Sequence, residues 1–202
     1  MSNKVELQKE EREEIIHWKK GVRVLGISES FTKEEKKSTV VGVVMRGDLR
    51  VDGFGICQPT IGGMDVTSLL LDMYFRLERD DIRSWLLGGT AISWFNIIDI
   101  VELYEKSGIP VVAVSYNPSD GINKYIQEYF PEDWKTRLEA FHNGPEREPI
   151  NLLNGYRVFV RSLGFSKKSA VNLLNSFTID GRIPEPIRMA RLIASAIQRD
   201  LL

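Results

Sequence analysis

Short apolar runs separated by polar turns fill the first third of the chain. Residues 22–27 (VRVLGI), 39–47 (TVVGVVMRG) and 50–59 (RVDGFGICQP) have the length and the β-branched content of strands. Pro59 ends the third run, because proline cannot donate to a β-ladder. The turn between the last two runs is short, so the three segments predict an antiparallel meander. Residues 5–21 have their acids early and their lysines late, which predicts an N-terminal helix.

The pattern then changes to alternating helices and strands. Apolar positions at helical spacing predict helices, and continuous apolar runs bounded by glycine or proline predict strands. The predicted helices are residues 64–79, 95–108, 119–130, 131–141, 166–177 and 184–200, and the predicted strands are residues 82–89, 109–116 and, at one edge, 156–164. Residues 142–155 are polar and contain Gly and Pro, which predicts an exposed loop.

This order of elements indicates the fold class. Strands that are joined through helices lie parallel, with right-handed crossovers. The chain therefore predicts an α/β fold with a mixed five-stranded sheet in the order 3-2-1-4-5, an extra edge strand and helices on both faces. This is the layout of a ribonuclease-H-like domain. Residues 1–202 are expected to form a single domain with an N-terminal helix and a C-terminal helical extension, because no linker divides the chain.

Composition limits the kinds of partner and the cellular compartment that can be expected for this protein. The 202 residues carry 27 Lys and Arg against 28 Asp and Glu, a net charge of −1, so no strong field attracts a polyanion. A single cysteine excludes an internal disulfide and suits a reducing compartment, which predicts a cytoplasmic location. One Cys and two separated His exclude a metal cluster of the Cys/His kind. No apolar run is long enough to span a membrane, so no membrane partner is expected.

Three segments converge on one edge of the predicted sheet, where a site is usual. The first strand ends at Ser28-Glu29, the fourth strand ends at Gly88-Gly89, and the helix between them begins near Asp65 and Thr67. Two-metal phosphodiester chemistry requires several carboxylates at such a point. Glu29 and Asp65 are the candidate catalytic residues and ligands of Mg²⁺ or Mn²⁺, and Asp99, in the next helix, is a third carboxylate.

These candidates also have structural interpretations. Asp65 is of a residue type common at helix N-termini, and Asn96 and Asp99 lie near the next helix start, where they would serve as caps. The Gly88-Gly89 pair is more typical of a close backbone approach than of a phosphate-binding loop, since its spacing matches no phosphate-binding motif.

A second candidate lies before the last helix. Pro184 and Pro186 bracket Glu185 and restrict its backbone, and Arg188 follows on the first turn. The Glu185 carboxylate is expected to be held by Arg188 or a neighbouring group. The pair serves either as a structural salt bridge or as part of a ligand-binding cleft.

Five segments, taken together, indicate a family. They are VRVLGISESF, VVGVVMRGDLRVDGF, MDVTSLL, LLGGTAISWFNIIDIVELYEKSGIPVVAVS and IPEPIRMARLIASAI. The set resembles the archaeal domain-of-unknown-function family numbered ninety-nine, from about Gly21 to Ile197. That family is similar in fold to endonuclease V, a metal-dependent nuclease that cuts near deaminated purines. The resemblance implies a ribonuclease-H-like fold, nucleic acid as a partner, and Mg²⁺ or Mn²⁺ as a cofactor.

The chain departs from endonuclease V at the metal positions that the resemblance implies. Ser28 stands where the nuclease has a metal-binding Asp at the end of its first strand, and Gly88 stands where it has the second strand-end Asp. Asp65 or Thr67 lies in the region of its third carboxylate. The nuclease's Pro-Tyr-Ile-Pro wedge has no counterpart, and the family's Ala-His in the last helix is replaced by Ala-Arg191. Glu29 is expected to face the opposite side of the sheet from Ser28 if the strand continues.

Three functions are compatible with these residues. The favoured hypothesis is a non-catalytic or altered endonuclease-V-like protein. It would bind nucleic acid or another ligand in the cleft where the nuclease has its active site, and the candidate basic contacts are Arg182, Arg188 and Arg191. The second is a metal-dependent endonuclease whose ligands are rebuilt from the three carboxylates named above. The third is a protein-interaction module that forms a homodimer, which would require a large exposed apolar patch.

Overall fold

The computed structural model describes residues 19–118 and 122–200. The predicted N-terminal helix falls almost entirely on residues 1–18, outside the described residues. The strands are β1 (Arg23–Ser30), β2 (Thr39–Arg46), β3 (Val51–Cys57), β4 (Ile82–Leu87), β5 (Ala91–Ile92), β6 (Asn96–Ile97), β7 (Val111–Ser115), β8 (Glu148–Asn151) and β9 (Arg157–Leu163). The helices are α1 (Val66–Arg76), α2 (Ile100–Ser107), α3 (Ile122–Tyr129), α4 (Trp134–His142), α5 (Lys167–Phe177) and α6 (Glu185–Asp200).

Seven strands form one mixed sheet in the order β3-β2-β1-β4-β7-β9-β8. The first three strands pair antiparallel, whereas β4 pairs parallel with both β1 and β7. The predicted order 3-2-1-4-5 is confirmed, with β7 as the fifth strand. None of the described helices is long and apolar enough to cross a membrane.

Two predictions for the chain after β4 are wrong. The segment predicted as an exposed loop contains β8, which pairs with β9 and forms the edge of the sheet, so β9 lies inside the sheet. Only Ile150 of β8 is buried, and one apolar residue makes no alternation that could predict a strand. The helix expected from Phe95 begins at Ile100, because β5 and β6 form a short hairpin before it.

The pleat of β1 places its side chains alternately in two apolar layers. Val24 packs in the layer that includes α5 and α6, whereas Leu25 and Ile27 pack in the layer that includes α1 and α2. Gly26 lets α6 approach the sheet closely, because a Cβ at this position would lie 2.3 Å from the Cβ of Pro186. The sheet therefore has a buried layer on each face, and the start of α6 rests directly on β1.

Candidate nucleic-acid interface

The ends of β1 and β4 meet beneath α6, as the sequence predicts. The Gly88 amide donates to the Ile27 carbonyl at 3.1 Å. A Cβ at Gly88 would lie 3.8 Å from the Ser28 hydroxyl oxygen and 3.0 Å from Cγ2 of Ile187. We call the place defined by Ser28, Gly88 and Ile187 the strand-end junction. It offers a hydroxyl and apolar groups where the nuclease pattern has two carboxylates.

A cavity of about 430 Å³ opens at the strand-end junction. Arg191 of α6 lines this cavity. Tyr116 lines it as well, and its buried hydroxyl has no hydrogen-bond partner among the described residues. Burial raises the pKa of Tyr116, against the opposing effect of the Arg182 and Arg191 charges. The Tyr116 hydroxyl itself is buried, so Arg191 is the group of this cavity that is suited to contacts with anionic groups.

Glu29 faces the other side of the sheet, as predicted, because β1 continues through Ser30. One oxygen of its carboxylate accepts hydrogen bonds from the Ser93 amide and the Ser93 hydroxyl, both at 2.6 Å. The Ser93 hydroxyl also lies 2.5 Å from the hydroxyl of Ser38, and both serines are fully buried. Burial raises the pKa of Glu29 above its usual value, and the two bonds from Ser93 oppose this shift. No cation pairs with Glu29 within the described ranges.

Asp65 stands at the N-terminus of α1, but its side chain does not cap the helix. It turns back to accept from the amide and the hydroxyl of Thr60, at 3.0 and 2.7 Å, and from Nδ2 of Asn96 at 2.7 Å. Nζ of Lys37 lies 3.6 Å away. Burial alone would raise the pKa of Asp65, but the hydrogen bonds and Lys37 outweigh burial and lower it.

Asn96 replaces Asp65 as the cap of α1. Its side-chain oxygen accepts from the Val66 amide at 3.2 Å, and its Nδ2 donates to the Thr60 carbonyl at 2.9 Å as well as to Asp65. Asn96 is fully buried, which makes these bonds costly to lose. The prediction that Asn96 caps the following helix is wrong, since it lies in β6 and caps the preceding one.

Ser93, Trp94 and Phe95 form the turn of the β5–β6 hairpin, and we call them the anchored turn. All three have positive φ angles, of 46°, 58° and 60°. This conformation costs energy for residues other than glycine, so surrounding contacts must hold it. Glu29 binds the turn at Ser93, and Asp65 binds the residue that follows it, Asn96.

Arg137 of α4 holds the anchored turn from outside. Its guanidinium is buried and donates to the carbonyls of Phe95, Gly62 and Gly63 at 2.9, 2.7 and 2.9 Å. Its charge is paired with Asp133, the residue before the first residue of α4. Sequence reasoning did not identify Ser93, Trp94 or Arg137, since nothing in their local pattern indicates contacts with distant segments.

Thr67 and Asp99 have structural roles away from the strand-end junction. The Thr67 hydroxyl accepts from the Asp99 amide at 3.0 Å. The Asp99 carboxylate caps α2, accepting from the amides of Val101 and Glu102 at 2.9 and 3.1 Å. The expectation that Thr67 and Asp99 line one cleft with Ser28 is not supported by these contacts, whereas the capping interpretation of Asp99 is confirmed.

Glu185 is held by Arg188, as predicted. The Arg188 Nε lies 3.0 and 2.9 Å from the two Glu185 oxygens, and its Nη2 lies 2.5 Å from one of them. The hydrogen bonds and charge of Glu185 raise the pKa of Arg188. Glu185 is buried and Arg188 is half-exposed, so the pair stabilises the first turn of α6 rather than presenting a free carboxylate.

The carboxylates at this edge do not fit a two-metal centre. The hydrogen bonds of Glu29 and Asp65 engage protein donors on different segments, and Asp99 is a helix cap. Within residues 19–118 and 122–200, no three Asp, Glu, His or Cys side chains come together as a metal-binding group. The two remaining strand-end positions offer only Ser28 and Gly88.

A second, larger cavity of about 790 Å³ lies at the ends of β4 and β7. Gly88 and Gly89 line it on one side, and Arg147 and Arg161 line it on another. Gly89 has a φ of 116°, a conformation that favours glycine, and a Cβ there would meet nothing within 4 Å. This cavity was not predicted from the sequence, because Arg147 lies in the segment that was predicted to be an exposed loop.

Comparisons with known proteins identify the family. The family model for endonuclease dU matches residues 20–198. A UPF0215 protein of Pyrobaculum calidifontis is 31% identical over 178 residues, which cover 88% of this chain and 97% of that protein. A protein of unknown function from Archaeoglobus fulgidus, known from its crystal structure, is 30% identical in sequence with a TM-score of 0.77. The match covers 88% of this chain and 99% of that one.

Endonuclease V shares the fold at lower identity. The endonuclease V of Ciona intestinalis, solved with DNA that contains inosine, is 14% identical with a TM-score of 0.58, over 99% of this chain and 100% of that one. At this identity the similarity concerns the fold alone, and it agrees with the ribonuclease-H-like layout of the sheet. The chain therefore belongs to the endonuclease dU family, an endonuclease-V-like family with archaeal members.

Proposed function

We propose that this protein binds single-stranded nucleic acid at the carboxyl edge of its sheet and does not cut it by a two-metal mechanism. One observation carries the proposal. The two carboxylates best placed for metal binding, Glu29 and Asp65, instead hold the two ends of the turn that carries Trp94. The carboxylates at this edge therefore hold the turn that carries an aromatic side chain. The single cysteine agrees with work in the cytoplasm.

The aromatic residues beside the anchored turn suit stacking with nucleobases. The Trp94 ring centroid lies 5.1 Å from that of Tyr129, and the rings of Tyr129 and Tyr125 lie 6.4 Å apart at an angle of 11°. About half of each tyrosine side chain is exposed. Nζ of Lys33 lies 3.8 Å from the centre of the Trp94 ring. Aromatic faces with a nearby cation bind unpaired bases with little sequence preference.

Of the three arginines predicted to contact a ligand, two are bound to other protein groups and one is not. Arg188 is paired with Glu185, and Arg182 donates to the Tyr116 carbonyl at 2.7 Å. Arg191 lines the smaller cavity and has no ion pair within the described residues. We therefore expect Arg191 and Lys33 to contact phosphates, which makes binding weaker at higher salt.

Fluorescence anisotropy of a labelled single-stranded oligonucleotide tests this function. Trp94→Leu is expected to weaken binding about tenfold, since each stacked base contributes about 1–3 kcal/mol. Trp134→Leu is the matched control, because Trp134 also has a lysine over its ring but has no aromatic contact with the anchored turn. Equal affinity of the wild type and Trp94→Leu would contradict the proposal.

A metal-dependent endonuclease is the second candidate, favoured by the description of the family. The wild type is expected to leave deoxyuridine- and inosine-containing oligonucleotides intact with Mg²⁺ or Mn²⁺, because no carboxylate stands at Ser28 or Gly88 to hold the ions. Cleavage that requires metal and is lost in Asp65→Ala would establish this candidate instead.

A gain-of-function variant sharpens the same test. Ser28→Asp with Gly88→Asp supplies both strand-end carboxylates, and Ile187→Ala makes room, because a Cβ at position 88 would lie 3.0 Å from Ile187. The triple variant is expected to bind Mn²⁺ more tightly than Ile187→Ala alone, as measured by isothermal titration calorimetry.

The homodimeric alternative draws support from the edge strand β3. Val51, Phe54 and Ile56 are exposed along it. Exposed strand edges with apolar side chains are common sites of self-association. Analytical ultracentrifugation of the wild type and Phe54→Ser decides this alternative, since only a dimer through β3 would dissociate in the variant.

A further inference from the structure

The larger cavity has the position and size of a ligand site. It opens at the carboxyl ends of two parallel strands, β4 and β7, where ligands bind in open α/β sheets. Its volume of about 790 Å³ lies within the range of small-molecule pockets. The anchored turn and Arg191 are not part of its lining, although Gly88 and Tyr116 line both this cavity and the smaller one.

Two arginines line this cavity without a carboxylate partner. Arg161 is only 8% exposed, and its guanidinium donates to the carbonyls of Phe141, Asn143 and Pro145 at 2.5, 3.0 and 2.8 Å. Arg147 donates to the Ser115 hydroxyl at 3.1 Å and the Asn117 carbonyl at 3.2 Å. Neither arginine forms a salt bridge with any described residue. All their hydrogen-bond partners are neutral, and the nearby Asp99 charge acts on Arg161 without forming an ion pair with it.

The charge of Arg147 acts on the guanidinium of Arg161. Burial lowers the pKa of Arg161, the charge of Asp99 opposes this shift, and the charge of Arg147 adds a smaller lowering effect. A like-charge pair in a partly desolvated wall is costly unless an anion lies between the charges. Glu146 also lines the cavity, but it is exposed and pairs with neither arginine.

We propose that this cavity binds a phosphate group at Arg147 and Arg161. Guanidinium groups match the geometry of phosphate oxygens and form short charge-assisted hydrogen bonds with them. Arg161 is fixed by the three carbonyls, so it supplies a rigid positive charge. Arg147 is half-buried and supplies the free donors. The site does not depend on nucleic-acid binding by the anchored turn.

Isothermal titration calorimetry with inorganic phosphate, at constant ionic strength set by chloride, tests the site. Arg147→Gln is expected to weaken phosphate binding at least about tenfold. The matched control is Arg157→Gln, which removes an exposed arginine over the same Phe159 ring but outside the cavity, and which should leave binding unchanged. Arg161 is not substituted, because it holds the end of α4 and its loss would confound folding with binding.

Two further titrants identify the source of the phosphate. Tighter binding of a deoxynucleoside 5′-monophosphate than of inorganic phosphate would assign the cavity to a phosphomonoester, and competition by an oligonucleotide with only internal phosphates would assign it to a phosphodiester. The proposal is overturned if phosphate gives no saturable heat, or if Arg147→Gln binds it as well as Arg157→Gln does. Trp94→Leu should bind phosphate normally, so failure of strand binding and failure of this site are distinguishable.

Discussion

Glu29 and Asp65 lie in two neighbouring regions that shift the pKa of a carboxylate in opposite directions. The Glu29 region supplies two donors from a single serine, no cation, and buried neighbours. The Asp65 region supplies donors from Thr60 and Asn96, a lysine, and partial exposure. Burial is the largest influence on the pKa in both regions. The pKa of Glu29 is nevertheless raised, whereas that of Asp65 is lowered.

The difference shows that a strand-edge carboxylate is governed by the balance between its burial and its donors. Two bonds from Ser93 do not offset the deep burial of Glu29, whereas Thr60, Asn96 and Lys37 outweigh the shallower burial of Asp65. Each carboxylate is also used to hold one end of the hairpin between β5 and β6. Because the two ends are fixed by separate carboxylates, the strained conformation of the anchored turn is maintained from both sides. A carboxylate engaged in this way has less capacity left for a divalent ion.

Removing Asn96 should have the largest effect on this comparison. Asn96→Ala breaks three buried hydrogen bonds and leaves the Val66 amide and the Thr60 carbonyl without these partners. We expect a loss of about 3 kcal/mol in the free energy of unfolding, measured by urea denaturation. Asn175→Ala, which removes one exposed hydrogen bond to Leu153, is the control and should cost less than about 1 kcal/mol. Similar losses in both variants would refute a special role for Asn96.

Ser93→Ala should have the next largest effect, because it removes one donor to Glu29. We expect a loss of about 1.5 kcal/mol and a further rise in the pKa of Glu29, which NMR titration of the side chain would measure. Ser38→Ala is the matched control, since it removes the hydroxyl next to Ser93 without touching Glu29. If the Glu29 pKa moved equally in both variants, the Ser93 hydroxyl would not be its main donor.

The opposite pKa directions predict opposite pH profiles of stability. The raised pKa of Glu29 means that its ionisation costs stability as pH rises above about 4.5, the usual pKa of the group. Glu29→Gln should therefore gain stability relative to the wild type as pH rises through that window. The lowered pKa of Asp65 stabilises the wild type above about pH 3.8, and Asp65→Asn should lose stability there, with the gap closing at lower pH. Thermal unfolding from pH 3 to 8 measures both, and slopes of the same sign would contradict the assignment.

Lys37→Ala should have the smallest effect. Its ammonium lies 3.6 Å from Asp65, but about half of its side chain is exposed. Exposed ion pairs contribute little, so we expect a change of less than about 0.5 kcal/mol in unfolding free energy. A loss greater than that of Ser93→Ala would show that charge, rather than hydrogen bonding, governs the Asp65 region.

Sequence patterns were sufficient for the strand order and for some of the site. The meander followed by helix-linked strands predicted that Ser28 and Gly88 would be neighbours, and the period of two predicted that Glu29 would face away from Ser28. The prolines around Glu185 predicted its pairing with Arg188, because the partner is three residues away and on the same helix turn. These successes all rest on local periodicity or on short separations.

The sequence failed where a residue's role depends on distant partners. β8 contains one buried side chain and exists through its pairing with β9. Asn96 was expected to cap the helix after it, but it caps α1, thirty residues earlier along the chain. The larger cavity was missed because its walls come from separate strands, helices and a connecting segment.

The sequence by itself determined that no carboxylate stands at residues 28 and 88, and the apolar pattern placed those residues at adjoining strand ends. Only the tertiary structure decided the roles of Glu29 and Asp65. The donors to Glu29 lie 64 positions away, and the Asn96 donor to Asp65 lies 31 positions away. Hydrogen bonds over such separations depend on which loops the folded sheet brings together. Local sequence preferences do not determine which loops these are.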